Sequence, residues 1–225
     1  MMLARLFSLV LVGVAAVNTC AVARPVVLAD LLFPKASRED VQERLLARAE
    51  RLEIIVGAKK DRWGREPVLA YDANGRLLQE IAVEQGLAYF WPRLLSNNLS
   101  SRMLNLEALA RAKQLGVWRN TKIIHWRDKK LAGLAGEWVV LKGRVVSIGK
   151  TRSTIYLNFG GNWSEDLTAT FKKSVMKEFE DAFGSLDALK GKNVEVRGVL
   201  QFKGGPWLQL AHPSELRVLP AVLKD

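Results

Sequence analysis

Asp61-Arg62-Trp63-Gly64-Arg65 places two guanidiniums on either side of an indole, with a carboxylate at the head of the loop. Arginine offers a planar, permanently charged fork that matches phosphate oxygens, and an indole offers a face on which a base can stack. On a chain with a formal net charge of +11, such groups are drawn to polyanions. A second set lies further on, where Lys150, Arg152, Lys172 and Lys173 surround the alternating run Thr154-Ile155-Tyr156-Leu157-Asn158-Phe159. Period two puts Ile155, Leu157 and Phe159 on one face and Tyr156 on the other, where a base could stack. Groups for bond-breaking are sparse. His125 and His212 are the only histidines and are expected in different domains, which disfavours a histidine metal cluster or a triad. No serine has the flanking pattern of a nucleophile elbow, and His212-Pro213 reads as a turn closing a strand. No metal ligand set and no cofactor motif is found.

For each site the plain structural alternative stays open. Trp63 can be a packed loop aromatic and Arg65 a solvated strand start, while Tyr156 and Trp163 can pack under a helix or against the first domain.

The chain has 225 residues and a formal net charge of +11, so it is attracted to polyanions such as nucleic acid, anionic headgroups or acidic polysaccharide. Its first 23 residues stand apart: Arg5 is the only charge, Leu6 to Val17 is apolar, and Ala21-Val22-Ala23 is a small-x-small site before Arg24-Pro25. That order reads as a secretory signal peptide over 1–23, too short in its apolar run to span a bilayer. The expectation is export to the periplasm or beyond. The only cysteine, Cys20, falls in this segment, which leaves the mature chain without a disulfide framework. A lipid anchor at Cys20 and a degenerate first hairpin over Val12 to Ala23 are the alternatives.

The positioning elements follow from periodicity. Val26 to Phe33 is a buried strand stopped by Pro34, and a helix capped by Ser37 carries Val41, Leu45, Leu46, Ala49 and Leu52 at helical spacing. Glu53 to Val56 and Val68 to Tyr71 are strands flanking the basic loop, and Asp72-Ala73-Asn74-Gly75 is a turn. Leu78 to Gln85 and Leu104 to Leu115 are helices, each followed by a glycine. Residues 121–137 read as a linker. Beyond it come strands over 138–148, 154–159 and 167–171, a helix over 173–183, and strands over 194–200 and 207–210, the element order of an OB-fold barrel. The expected fold class is α+β, mainly β, with domains at 24–120 and 138–220.

The stretch from Asp61 to Trp118 resembles the second half of a staphylococcal-nuclease-like (thermonuclease) domain. It carries Asp61-Arg62-Trp63-Gly64-Arg65, then Glu84-Gln85-Gly86-Leu87-Ala88-Tyr89, and closes at Leu115-Gly116-Val117-Trp118. The resemblance implies an OB-like barrel with packed helices, a phosphate contact for Arg65, and a place for Trp63 beside a bound nucleotide. It also implies calcium, held by carboxylates on a strand of the form Arg-Leu-x-Gly-Ile-Asp-x-Pro-Glu and in an Asp-Gly-Asp-Thr hairpin. Aligned through Pro34, those positions hold Val27 for the arginine, Leu32 for the aspartate and Lys35 for the glutamate. The hairpin is absent, and Asp30 alone cannot hold calcium, which takes six to eight oxygens. The C-terminal half is similar to the OB-like extension of some secreted bacterial nuclease-like proteins, through Thr154 to Gly160, Trp163, Asp166-Leu167-Thr168, Gly205-Pro206-Trp207 and Ala211-His212-Pro213-Ser214-Glu215.

The expected function is binding of nucleic acid or another polyanion without calcium-dependent hydrolysis, by Arg62, Trp63 and Arg65 in the first domain and Lys150, Arg152 and Tyr156 in the second. An active phosphodiesterase and an envelope scaffold or protein-interaction module are the competing readings, and whether the chain is an enzyme stays open.

Overall fold

A computed structural model describes the backbone of residues 14–18 and residues 25–35, 38–162 and 164–220 in full. Cys20, Ala21 to Ala23, Ser37 and Trp163 lie outside the described residues. The fold is mixed α+β and made mainly of strands.

The first half rests on a four-stranded sheet, in which β1 (Val14–Asn18) pairs antiparallel with β4 (Arg51–Ile55), β4 with β5 (Glu66–Tyr71), and β5 runs parallel to β2 (Val26–Leu28). A short second ladder joins β3 (Leu31–Leu32) to β6 (Tyr89–Phe90). Helices α1 (Arg38–Leu46) and α2 (Leu78–Glu84) bury Leu45, Leu78 and Ile81 against Leu28, Phe33 and Ala70. Helix α3 (Asn97–Ala112) starts seven residues before the expected Leu104, because Ser96 accepts the Leu99 N–H at 3.4 Å and caps a turn of weak helix formers. Cleavage after Ala23 would remove β1 and turn β4 into a sheet edge.

Two glycines set the packing of α2 on α3. Gly86 and Gly116 both have positive φ, 66° and 49°, and the Val117 N–H donates to the Gly86 carbonyl at 2.8 Å. A Cβ on either glycine would collide with backbone carbonyl atoms of the other segment.

The second half contains two sheets. One has the order β13 (Gln201–Lys203), β14 (Gly205–Leu210), β11 (Thr168–Lys172), β10 (Thr154–Asn158), β9 (Ser147–Lys150). The other has the order β15 (Leu216–Val218), β12 (Asn193–Val199), β8 (Trp138–Arg144), β7 (Ile124–His125). The chain crosses between them at Val145-Val146 and at Leu200, where Val146 donates to the Asn158 carbonyl at 2.8 Å and Leu200 to that of Glu137 at 2.9 Å. Ile155, Leu157 and Phe171 fill the space between, sealed by α4 (Met176–Phe183), whose Phe179 stacks on Phe171 at 3.9 Å. The alternation expected for β10 is therefore seen, with Ile155 and Leu157 buried and Tyr156 half-buried.

Residues 121–137 are not a free connection. Ile124–His125 pair in parallel with β8, and Trp126 and Leu131 are buried in the second core. His125 thus joins the half that holds His212. Its apolar residues form no periodic stripe that would set them apart from a linker in sequence.

The halves are joined by buried charge. Arg197 on β12, 1% exposed, donates to the Phe90 carbonyl at 2.9 Å and to Glu107 of α3 at 3.0 Å. Arg111, one turn along α3, makes a fork of hydrogen bonds to Glu195 at 3.0 Å. Two cations and two anions balance. Removing one partner of such a buried set strands the other, at a cost of about 3–5 kcal/mol. Glu107→Ala is accordingly expected to lower unfolding free energy by about that amount in urea titration. The paired replacement Glu107→Leu with Arg197→Met should recover most of the loss.

Candidate functional site

The loop between β4 and β5 is organised by one carboxylate. Asp61 accepts the backbone N–H of Trp63 at 2.9 Å and of Arg65 at 3.0 Å, while its second oxygen takes the Arg65 Nε–H at 2.8 Å. Burial raises the Asp61 pKa, but the N–H groups and the guanidinium outweigh it and hold the carboxyl below its ordinary value. With the backbone turned this way, Trp63 projects outward, 54% exposed. Three guanidiniums gather on its ring: Arg62 at 4.0 Å from the centroid, Arg65 at 4.9 Å and Arg38 of α1 at 5.9 Å. An exposed indole surrounded by positive charge suits an anionic planar ligand.

Arg62 and Arg38 also line a cleft of about 530 Å³ between the two halves. Its floor and near wall are Leu32, Phe33, Pro34 and Lys35 with Tyr89 and Trp91, and its far wall is Glu137, Trp138 and Val199. Tyr89 is held edge-on to Trp118 at 5.1 Å and tilted against Trp138 at 4.8 Å. Lys35 reaches across to Glu137 at 2.7 Å. The cleft is thus cationic and aromatic, and its one carboxylate is already paired.

Calcium does not fit this lining. Leu32 and Lys35 stand where the resemblance calls for an aspartate and a glutamate, and among the described residues no three histidine, cysteine or acidic side chains come together as a metal set. Asp30 has another job. At φ 57° it sits in the left-handed region, 8% exposed, and accepts the backbone N–H groups of Arg93, Leu94 and Leu95 at 2.9–3.0 Å.

The second set of sequence candidates does not join this cleft. Lys150 lies 3.6 Å from Asp187, Arg152 lines a separate concavity, and Tyr156 lies over Gly149 of the neighbouring strand. Arg38, Tyr89, Trp91 and Trp138 were not singled out as site residues by sequence, since they come from α1, the β6 segment and β8 and only packing brings them together. No protein-family model matches the chain, and no curated protein does.

Behind the cleft, the loop after β6 is clamped by titratable groups from the second half. Glu215, fully buried, accepts the Trp91 Nε1–H at 2.8 Å and the His212 N–H at 3.1 Å, and lies 3.3 Å from the Arg93 guanidinium. Burial pushes its pKa up against those contacts. His212 caps the turn at Pro213 by accepting the Ser214 N–H at 3.1 Å, in keeping with the turn read from His212-Pro213. Burial, with Arg93 nearby, holds the His212 pKa below its ordinary value despite a hydrogen bond to the Leu95 backbone. A histidine depressed in the folded state stabilises above its unfolded pKa, and that contribution fades as pH falls through about 6.5 toward the folded value. His212→Asn keeps an acceptor at the cap and cannot titrate. Urea midpoints measured from pH 7.5 to 5.5 should fall more steeply for the wild type than for this variant.

Proposed function

We propose that the chain is a staphylococcal-nuclease-like module that binds single-stranded nucleic acid, or a polyanion of like chemistry, without calcium-dependent hydrolysis. One observation carries the reading: the exposed Trp63 ring with Arg62, Arg65 and Arg38 around it, at the lip of a cationic, aromatic cleft. Stacking supplies contact with any base, and the guanidiniums supply phosphate contacts that release counterions.

Topology supports the family reading. The parallel pairing of β2 with β5, followed by α2 and α3, is an arrangement compatible with a nuclease-like barrel that has lost part of its first hairpin. For the second half, pairings run from β9 through β10, β11 and β14 to β13, while β12 leads into β13 and pairs with β8, which leads into β9. This path supports an OB-like arrangement.

Purified protein incubated with single-stranded DNA or RNA should leave the polymer intact in calcium and in chelator alike. Cleavage that chelator stops, and that a Trp63→Ala or Arg65→Ala change abolishes, would instead establish the phosphodiesterase reading. In fluorescence anisotropy, Trp63→Ala is expected to weaken oligonucleotide binding by about 1–3 kcal/mol at all salt concentrations. No binding at low salt would leave the scaffold reading as the better account.

Export is the localisation we propose, on the strength of the uncharged run from Leu6 and the small residues at Ala21 and Ala23. Among the described residues no helix is long and apolar enough to cross a membrane. Mass spectrometry of the product from a bacterial host should give Arg24 as the N-terminus. A product that keeps Val14 to Asn18 would favour the barrel-strand reading of that segment, which the pairing of β1 with β4 supports.

A further inference from the structure

Some basic side chains have acidic neighbours, as Lys60 has Glu66, Arg102 has Glu80 and Lys177 has Asp181. The cluster at the β9–β10 hairpin gathers several that do not. Arg152, Lys172 and Lys173 line a concavity of about 560 Å³ together with Ser153, Thr154 and Ser174, and no carboxylate lines it. None of the three cations has an ion-pair partner among the described residues. The nearest charged contact in sequence, Lys150 to Asp187 at 3.6 Å, involves neither the cluster nor its lining.

The cluster is held in place by backbone. Thr151 closes the β9–β10 hairpin, donating to and accepting from Thr154 at 2.9–3.1 Å, and so fixes where Arg152 and Ser153 stand. The Lys173 N–H donates to the Ser153 carbonyl at 2.8 Å, tying that hairpin to the end of β11. Thr154 pairs directly with Lys172 in the ladder. Three like charges are thereby kept together by hydrogen bonds that do not neutralise them, so an anion that bridges them relieves their repulsion. The hydroxyls of Ser153 and Ser174 add donors of the kind that phosphate oxygens accept.

The strand itself favours one kind of polyanion. Tyr156 lies two residues beyond Thr154 on the same face of β10, half-buried over Gly149, about 7 Å along the strand. A phosphate cradle beside an aromatic ring matches a polymer that carries both phosphates and bases.

We propose that Arg152, Lys172 and Lys173 form a second phosphate-binding site, on the C-terminal half, which holds the backbone of a single-stranded nucleic acid while Tyr156 stacks on one of its bases. The proposal rests on the nucleic-acid reading above and adds a site independent of the Trp63 loop.

The test uses the full chain and fluorescein-labelled oligo-dT, with affinity followed across a salt series. Simultaneous Arg152→Ala, Lys172→Ala and Lys173→Ala should reduce the slope of log affinity against log salt by about 2, since each phosphate contact on a single strand contributes about 0.7. Lys129→Ala with Lys130→Ala, exposed cations elsewhere, should leave the slope near that of the wild type. The triple change should act equally in a Trp63→Ala background. Tyr156→Ala should weaken oligo-dT by roughly 5- to 150-fold and leave an abasic phosphodiester of equal length unaffected.

If wild type binds and the triple variant matches the Lys129/Lys130 control, the second site is wrong while the first reading stands. If wild type fails to bind oligo-dT at low salt, both fall. Equal binding of the abasic polymer, or binding only to anionic lipid vesicles, would overturn the assignment to a single strand.

Discussion

Everything in the cleft depends on four charges that never meet water freely. Glu107 and Arg111 are on one face of α3, Arg197 and Glu195 alternate along β12, and the two pairs interlock where helix meets strand. Taking a carboxylate and a guanidinium out of water costs several kcal/mol apiece, and only good geometry returns it. Arg197 meets this demand with a backbone carbonyl as well as a carboxylate, and Arg111 with a two-pronged fork. Apolar contact between the halves would tolerate sliding. Charges that must face their partners at about 3 Å do not, so the network fixes orientation more than it adds stability.

That fixed orientation is what makes the far wall of the cleft. Trp138 opens β8 with Glu137 just before it, and Val199 ends β12, yet they close a space whose floor comes from β3 and β6. The same orientation explains the character of the site. Acidic residues at this mouth would attract a hard cation, whereas Lys35, Arg38 and Arg62 repel one and Leu32 offers it no ligand.

Sequence made the local parts readable. The Asp61 to Arg65 loop was legible because its five residues organise themselves through one carboxylate, and β10 was legible because one of its faces is plainly apolar. The partner of β12 is not legible in the same way. Val194-Glu195-Val196-Arg197 alternates apolar and charged, yet its charged face is covered by α3, so both faces are buried. Nothing in the strand announces this, because the partner is some 85 to 90 residues away. Tyr89, Trp91 and Trp138 were hidden for a related reason, since aromatic side chains in short strands look alike whether they fill a core or line a cleft. Residues 121–137 read as a connection because they are basic and broken by Gly133, Ala135 and Gly136, yet Trp126 and Leu131 are buried in the core and Ile124 and Leu134 pack against it.

The contact of Gly86 with Gly116 bears on how this protein can vary. Neither position can accept a side chain, and enlarging one cannot be offset by shrinking the other, since each is already the smallest residue and faces backbone. Three residues after the first glycine comes Tyr89, and two after the second comes Trp118, the ring against which Tyr89 stands. A mutation at either glycine would therefore shift the aromatic wall of the cleft from behind. Neither glycine lines the cleft, so the change would reach its rings only through the packing behind them.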